Sequence, residues 1–341
     1  MTALIGVGLS HRTAPLALRE RVALGPDEAT ELLGALLETG AAGEAVALST
    51  CNRTELYAAG ADAAALEAAL VGALARRARM SSGALRSHVA VLRGTEVADH
   101  LFAVAGGLES MVLGEVEILG QLRRAHAQSR AAGACGPVID RLVRDALGAG
   151  RRARAGTAIG RCGVSVSSAA VELARDALGS LADRRVLLVG AGKSSEVTAK
   201  VLRDIDPAVR EIPGALLLDL DDVQRRATDN LRSRAGDVGR AREILAGEVE
   251  RFERWRATRD AAPTVAALLT AGNAIVAELL DRNAPHWESL SPADRDRVAS
   301  LARAVARRLL DEPTRRIKQA ALDGDATAEL AARALFALPQ G

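Results

Sequence analysis

Apolar residues alternate with small or polar ones in ALIGVGL at residues 3–9, and the same short period returns in EAVALST at 44–50 and ELYAAG at 55–60. Short runs with this alternation read as strands. Gly25-Pro26-Asp27 opens a helix whose apolar positions continue to about Leu37, and a second helix runs from about Asp62 to Arg79. A strand from Ser87 to Leu92 and a helix beginning near Thr95 complete the order β-α-β-β-α-β, the split βαβ arrangement of ferredoxin-like domains. That order sets Cys51 at the end of the second strand, where a side chain can face a cleft.

From about 117 to 180 the period is helical, broken near Gly133–Pro137 and Gly156–Gly163. RRVLLVGAGKSSEVTAKVL then predicts a buried strand, a glycine turn and a helix, and the strand GALLLDL follows at 214–220. Beyond Asp222, Val223, Ala227, Leu231, Ala235, Val238, Ala241, Leu245, Val249 and Phe252 recur every three or four residues. One stripe of a single long helix, from about 222 to 258, has that spacing. Pro263 predicts an interruption, with helical segments restarting near 264–282, 291–311 and 314–338. The surplus apolar surface of these helices predicts a two-fold dimer.

Length and composition change the picture only in what they exclude. A chain of 341 residues, 49% hydrophobic and 26% charged, belongs with globular proteins and has room for two or three domains. No segment reaches about 18 uninterrupted apolar residues and the first residues lack a basic, apolar leader, so the expectation is a cytoplasmic protein with no membrane partner. Cys51, Cys135 and Cys162 lie far apart, which excludes a CxxC motif and predicts no metal site. The net charge of +2 does not by itself argue for nucleic acid. Arginines cluster from Arg141 to Arg154, but lysine occurs only at Lys193, Lys200 and Lys318, so the arginine excess reads as compositional bias.

A lone cysteine is more often a small buried hydrophobe than a nucleophile. Cys51 departs from that default because Thr50, Asn52, Arg53 and Thr54 surround it, poor composition for a core and good composition for a cleft. A thiol with the ordinary pKa of about 8.5 is only a few per cent thiolate at pH 7, and a nearby guanidinium would raise that fraction.

GLSHRTAP, STCNRTELY, HLFAVAGGLESMVLGEVEILGQ and CGVSVSSAAVELA together resemble the glutamyl-tRNA reductase family. The resemblance is continuous to about residue 200 and resumes at RDIDPAVREIPG. It implies that Cys51 attacks the ester of glutamyl-tRNA and holds a glutamyl thioester, that His100 lies in the pocket beside the thiol, and that Thr50, Arg53 and Ser110 hold the glutamyl group. Taken alone, His100 on the apolar face of DHLFAV would read as a core histidine. Two departures stand near the site: Glu109 replaces the family's Asp, and Glu117 replaces its Gln. An ionised Glu only accepts hydrogen bonds where Gln also donates, so Glu117 in the glutamyl pocket would favour an ammonium over a carboxylate.

GAGKSS at Gly190–Ser195 follows a strand and opens a helix, the context of a dinucleotide fingerprint, with Ser195 in place of the third glycine. Gly190 and Gly192 are therefore vestigial cofactor-binding positions. Only one βαβ unit fits between Arg184 and Leu220, whereas a complete dinucleotide sheet needs about six strands at roughly 30 residues per unit.

The expected architecture is α+β. A ferredoxin-like catalytic domain occupies 1–160, a remnant of a Rossmann-type unit 161–221, and a spinal helix with a helical dimerisation domain 222–341. The expected function is loading of a glutamyl group from tRNA onto Cys51, with the thioester resolved without a cofactor by a small nucleophile, a cyclisation or water. The alternatives are an NADPH-dependent glutamyl-tRNA reductase making glutamate-1-semialdehyde for tetrapyrrole synthesis, and a non-catalytic tRNA-binding paralogue. Retention of Cys51, Arg53 and His100 speaks against the last, since a pure binding module has no need of a thiol among polar neighbours.

Overall fold

A computed structural model describes residues 2–110, 113–115, 117–160, 235–325 and 327–339, with Ala174. They fall into two compact units divided between Val249 and Glu250. The strand and helix expected after Arg184, the strand at 214–220, and Gly190 and Gly192 lie outside the described residues.

In the first unit, β1 (Ala3–Ser10), β2 (Glu44–Ser49), β3 (Arg53–Gly60) and β4 (Ala90–Arg93) form one antiparallel sheet in the order β2-β3-β1-β4. This is the split βαβ order that the alternating pattern predicts. Among the described residues up to 160, the sheet is accompanied by the helices α1 (Leu16–Val22), α2 (Pro26–Glu38), α3 (Ala63–Ala78), α5 (Thr95–Gly106), α6 (Glu117–Ala131) and α7 (Pro137–Gly156), with a single turn, α4 (Ser82–Leu85), after α3. Helix α2 starts where Pro26 occupies its first turn and Glu28 accepts from the Gly25 N–H at 2.8 Å. Asp62 caps α3 by accepting from the N–H groups of Ala64 and Ala65, and Arg79 in the left-handed region ends it.

The sheet's two faces differ. Ile5, Val7, Leu9, Ala45, Ala47, Leu56 and Ala58 join Leu33, Leu36, Leu66, Leu70 and Leu74 of α2 and α3 in one apolar core. Strand alternation sends Gly6, Gly8, Arg53, Glu55 and Tyr57 to the other face. Gly8 stands opposite Glu55 in the register, and a Cβ there would come within 2.5 Å of the Glu55 side chain. Glycine at this position is thus what lets a carboxylate lie flat over β1.

Two boundaries differ from the sequence reading. β4 begins at Ala90 rather than Ser87, because Ser81 caps a helical turn by accepting from Ala84 N–H at 3.2 Å and the chain turns once more through Arg86–His88. The pattern also passes over α1, whose seven residues are too few to show a helical period.

Helix α8 (Ala235–Asn283) is continuous through Pro263, and α9 (Pro292–Leu322) is continuous through Pro313, whereas both prolines predict breaks. An interior proline costs a helix about 3 kcal/mol through its missing N–H and ring clash. Packing on both sides offsets that cost: Ala261, Val265 and Leu268 of α8 form a core with Ile317 of α9, Ala332 of α10 (Thr327–Leu335) and Leu338. Thr264 donates to Glu329 at 2.6 Å across the same interface. By length and composition the stretch Gly236–Trp287 contains an 18-residue window apolar enough to cross a membrane, mean hydropathy 1.5. Thr264, Thr270 and Asn273 break the uninterrupted run that the sequence criterion requires. Ile275, Leu279, Leu301, Val305, Leu309, Leu330 and Leu335 remain exposed in this second unit, the surplus that predicts a partner.

Candidate active site around Cys51

The site is built on the turn joining β2 to β3. Thr50 N–H donates to Arg53 O at 2.8 Å, and Thr50 Oγ1 accepts from the N–H groups of Asn52 and Arg53 at 3.1 and 3.2 Å. A serine or threonine hydroxyl closing on N–H groups two and three residues later fixes a tight turn. Cys51 sits exposed at its apex. Two further ties hold the turn from α1's side: His11 N–H donates to Asn52 O at 2.9 Å, and Arg19 donates to Cys51 O at 3.3 Å and Asn52 Oδ1 at 3.2 Å.

The thiol is not activated by its surroundings. Although the residue is exposed, the sulfur lies against protein, and partial burial pushes its pKa up; the carboxylates of Glu115 and Glu117 push the same way, while the Cys51 backbone hydrogen bond and Arg19 oppose them. Glu115 is itself raised by burial and by Glu117, against Arg53 and Arg154. Arg154 fixes the Glu115 segment by donating to the backbone carbonyls of Gly114, at 3.1 Å, and Glu115. Glu115→Gln is therefore expected to lower the thiol pKa and to speed alkylation of Cys51 by iodoacetamide at pH 7. Glu117→Gln moves it the same way by less. Equal or slower alkylation in both variants would show that the carboxylates do not govern the thiol.

Beneath the turn lies a buried ionic network. Arg53 is 3% exposed, and its guanidinium donates to Glu55 Oε1 at 2.8 Å and to the backbone carbonyl of Glu109. Tyr57 O–H donates to Glu55 Oε2 at 2.5 Å, and His100 Nε2 lies 3.0 Å from Glu55 Oε1. Burial alone would raise the Glu55 pKa, but Arg53, His100 and Tyr57 hold it down at about 2. Burial and Glu55 push the Tyr57 hydroxyl well above its ordinary value. Arg12 pairs with Glu109, which ties the two motifs SHRT and GLES together. His11 is kept neutral to about pH 4 by burial and then by Arg53, Arg19 and Arg12, and its buried Nδ1 has no hydrogen-bond partner among the described residues.

The structure thus brings Arg53 and His100 together through Glu55, sets Thr50 and Cys51 in one turn, and carries the Glu115 and Glu117 charges to the thiol. Ser110 follows Glu109, whose carbonyl Arg53 holds. Glu55 and Tyr57 were not singled out from the sequence. The available signal is the spacing in RTELY, where Arg53, Glu55 and Tyr57 share one strand face.

Elsewhere, the fold brings possible ligand atoms of His126, Cys135 and Asp140 within 4.8 Å of one another. Asp140 already carries Arg130 and Arg144, and two guanidiniums on one carboxylate oppose a cation there.

Residues 7–157 match the family description "Glutamyl-tRNAGlu reductase, N-terminal domain", and residues 240–338 match "Glutamyl-tRNAGlu reductase, dimerisation domain". The glutamyl-tRNA reductase of Magnetococcus marinus is 30% identical over 98% of this chain and 99% of its own length. The chain belongs to the glutamyl-tRNA reductase family. The glutamyl-tRNA reductase of Stenotrophomonas maltophilia is 33% identical over 98% of this chain and 95% of its own. The solved glutamyl-tRNA reductase from Methanopyrus kandleri shares the fold, with a TM-score of 0.54 and 23% identity over 93% of this chain and 98% of that one. The Magnetococcus alignment runs over 417 positions, more than the 341 residues present here, so that relative carries residues inside the aligned span with no counterpart in this chain.

Proposed function

We propose that this chain acts on glutamyl-tRNA, with Cys51 as the acyl acceptor. The sulfur attacks the ester carbonyl carbon, a C–S bond forms as the C–O bond to the terminal ribose breaks, and the ribose hydroxyl leaves with a proton. One difficult transfer is split into two easier ones. The observation that supports this best is an exposed cysteine at the apex of a turn held by Thr50 from within and by His11 and Arg19 from outside, in a chain whose relatives along almost its whole length are named for glutamyl-tRNA. Thr50, Arg53, Ser110 and Glu117 are the residues proposed to hold the acyl group. The Arg53 guanidinium acts from beneath, because Glu55 and the Glu109 carbonyl already engage it.

For the second step, the relatives' shared name favours reduction over the nucleophilic discharge expected from strand counting. On this reading NADPH supplies the hydride that releases glutamate-1-semialdehyde. Gly190 and Gly192, the positions expected to meet it, lie outside the described residues. The competing reading, discharge of the thioester to an amine, by cyclisation or to water, is favoured by the residues this chain lacks within the aligned span. Incubation with glutamyl-tRNA, with and without NADPH and with an aldehyde trap, separates the two. NADPH-dependent aldehyde is expected; a thioester that ignores NADPH and discharges to added amines would establish the competing reading. The proposed assembly is a homodimer, in keeping with the dimerisation match over 240–338.

A further inference from the structure

The geometry points to Glu55 as a positioning residue that holds His100 as its Nε2–H tautomer, leaving Nδ1 as the ring atom able to take a proton. Glu55 lies on β3 and His100 on α5, so the pair forms only when the helix closes over the glycine face of the sheet. The Glu55 carboxylate accepts from three directions: Arg53 and His100 at Oε1, and Tyr57 at Oε2. Its side chain is 6% exposed and that of His100 23%.

An ionised carboxylate only accepts hydrogen bonds. With a guanidinium at 2.8 Å on the same oxygen, Glu55 stays a carboxylate, and a ring nitrogen 3.0 Å away must bring the proton. Nε2 is therefore protonated whether the ring is neutral or charged. In the neutral ring the remaining lone pair belongs to Nδ1, since the hydrogen bond made by one nitrogen decides the state of the other. Gly8 is the condition for this arrangement, because any Cβ there would push the Glu55 side chain off β1. The functional consequence rests on the proposed acylation of Cys51 and on the position beside the thiol that the family resemblance implies for His100. The tautomer itself does not.

The test uses the full chain labelled with 15N-histidine and long-range proton–nitrogen correlation, with His100 identified among the five histidines by loss of its signals in His100→Gln. Neutral His100 is expected to show a pyrrole-type Nε2 and a pyridine-type Nδ1. Glu55→Gln, whose amide can donate as well as accept, is expected to bring in the Nδ1–H form. The same variant should lower kcat for acylation on the order of 10-fold or more with KM little changed, as wrong-tautomer variants do. A wild-type ring with Nδ1 protonated and Nε2 bare overturns the assignment, and this reading stands even if Glu55→Gln does not fold. A variant that folds yet keeps the wild-type tautomer and kcat overturns it as well. Correct tautomer in a wild-type protein that is never acylated supports the assignment and counts against the proposed function instead.

Discussion

Replacing Cys51 by Ala or Ser will abolish the covalent adduct that glutamyl-tRNA leaves on the protein, with no residual slow phase. The thioester needs a sulfur, and the turn that carries Cys51 offers no second nucleophile of that kind. Cys135 lies between α6 and α7, half-buried, with its sulfur 4.0 Å from Asp140, and burial raises its pKa. Intact-protein mass spectrometry after incubation with charged tRNA should show one glutamyl mass increment on the wild type and on Cys135 and Cys162 variants, and none on Cys51→Ala. An adduct that survives in Cys51→Ala and disappears with Cys135 would move the acceptor out of the site described. The same turn should survive the substitution, since the hydrogen bonds that hold it come from Thr50, Asn52, Arg53, His11 and Arg19, and the thiol's own bond is to the Cys51 backbone.

Arg53→Ala is expected to be the most damaging substitution to stability in the first unit, costing about 3–5 kcal/mol, because it strands a carboxylate in the interior. Glu55 is held at about 2 chiefly because Arg53 stands 2.8 Å away; without it, burial pushes the carboxyl up and the group must take a proton or stay charged without its partner. The sign of the pH dependence follows. In the wild type the folded pKa lies below the ordinary 4.5, so the stability contributed by ionised Glu55 is complete above pH 4.5 and is lost as pH falls from 4.5 towards 2. Urea unfolding of wild type and Arg53→Ala at pH 7 measures the first effect, and the loss of wild-type stability on acidification measures the second. Pairing Arg53→Met with Glu55→Gln should recover part of the loss, since neither charge is then left alone. A cost below about 1 kcal/mol for Arg53→Ala would show that the pair is hydrated and not structural.

Much of the scaffold is written in local pattern. The strands at 3–9, 44–50 and 55–60 and the helices from Pro26, Asp62 and Thr95 follow from alternation, capping and glycine or proline punctuation, all of which act over a few residues. The motif STCNRTELY likewise sets Cys51 apart, because polar neighbours around a lone thiol are legible in the sequence itself. Pro263 and Pro313 mark the limit of such reasoning. Locally each breaks a helix, but Leu268, Ile317 and Ala332 are brought together only by the fold, and their packing outweighs the local cost.

The sequence by itself determined which side chains can react and which elements carry them, since spacing and local propensity suffice for that. The tertiary structure alone decided their condition. Arg53, which the motif sends towards substrate, is 3% exposed and ion-paired; Glu55, unremarked in the sequence, is the carboxylate on which Arg53, Tyr57 and His100 converge. The thiol, expected to be helped by a neighbouring guanidinium, is instead raised by burial and by carboxylates more than sixty residues away along the chain. Charges act through space and burial depends on every neighbour, so a residue's ionisation is a property of the folded surroundings and not of its place in the sequence.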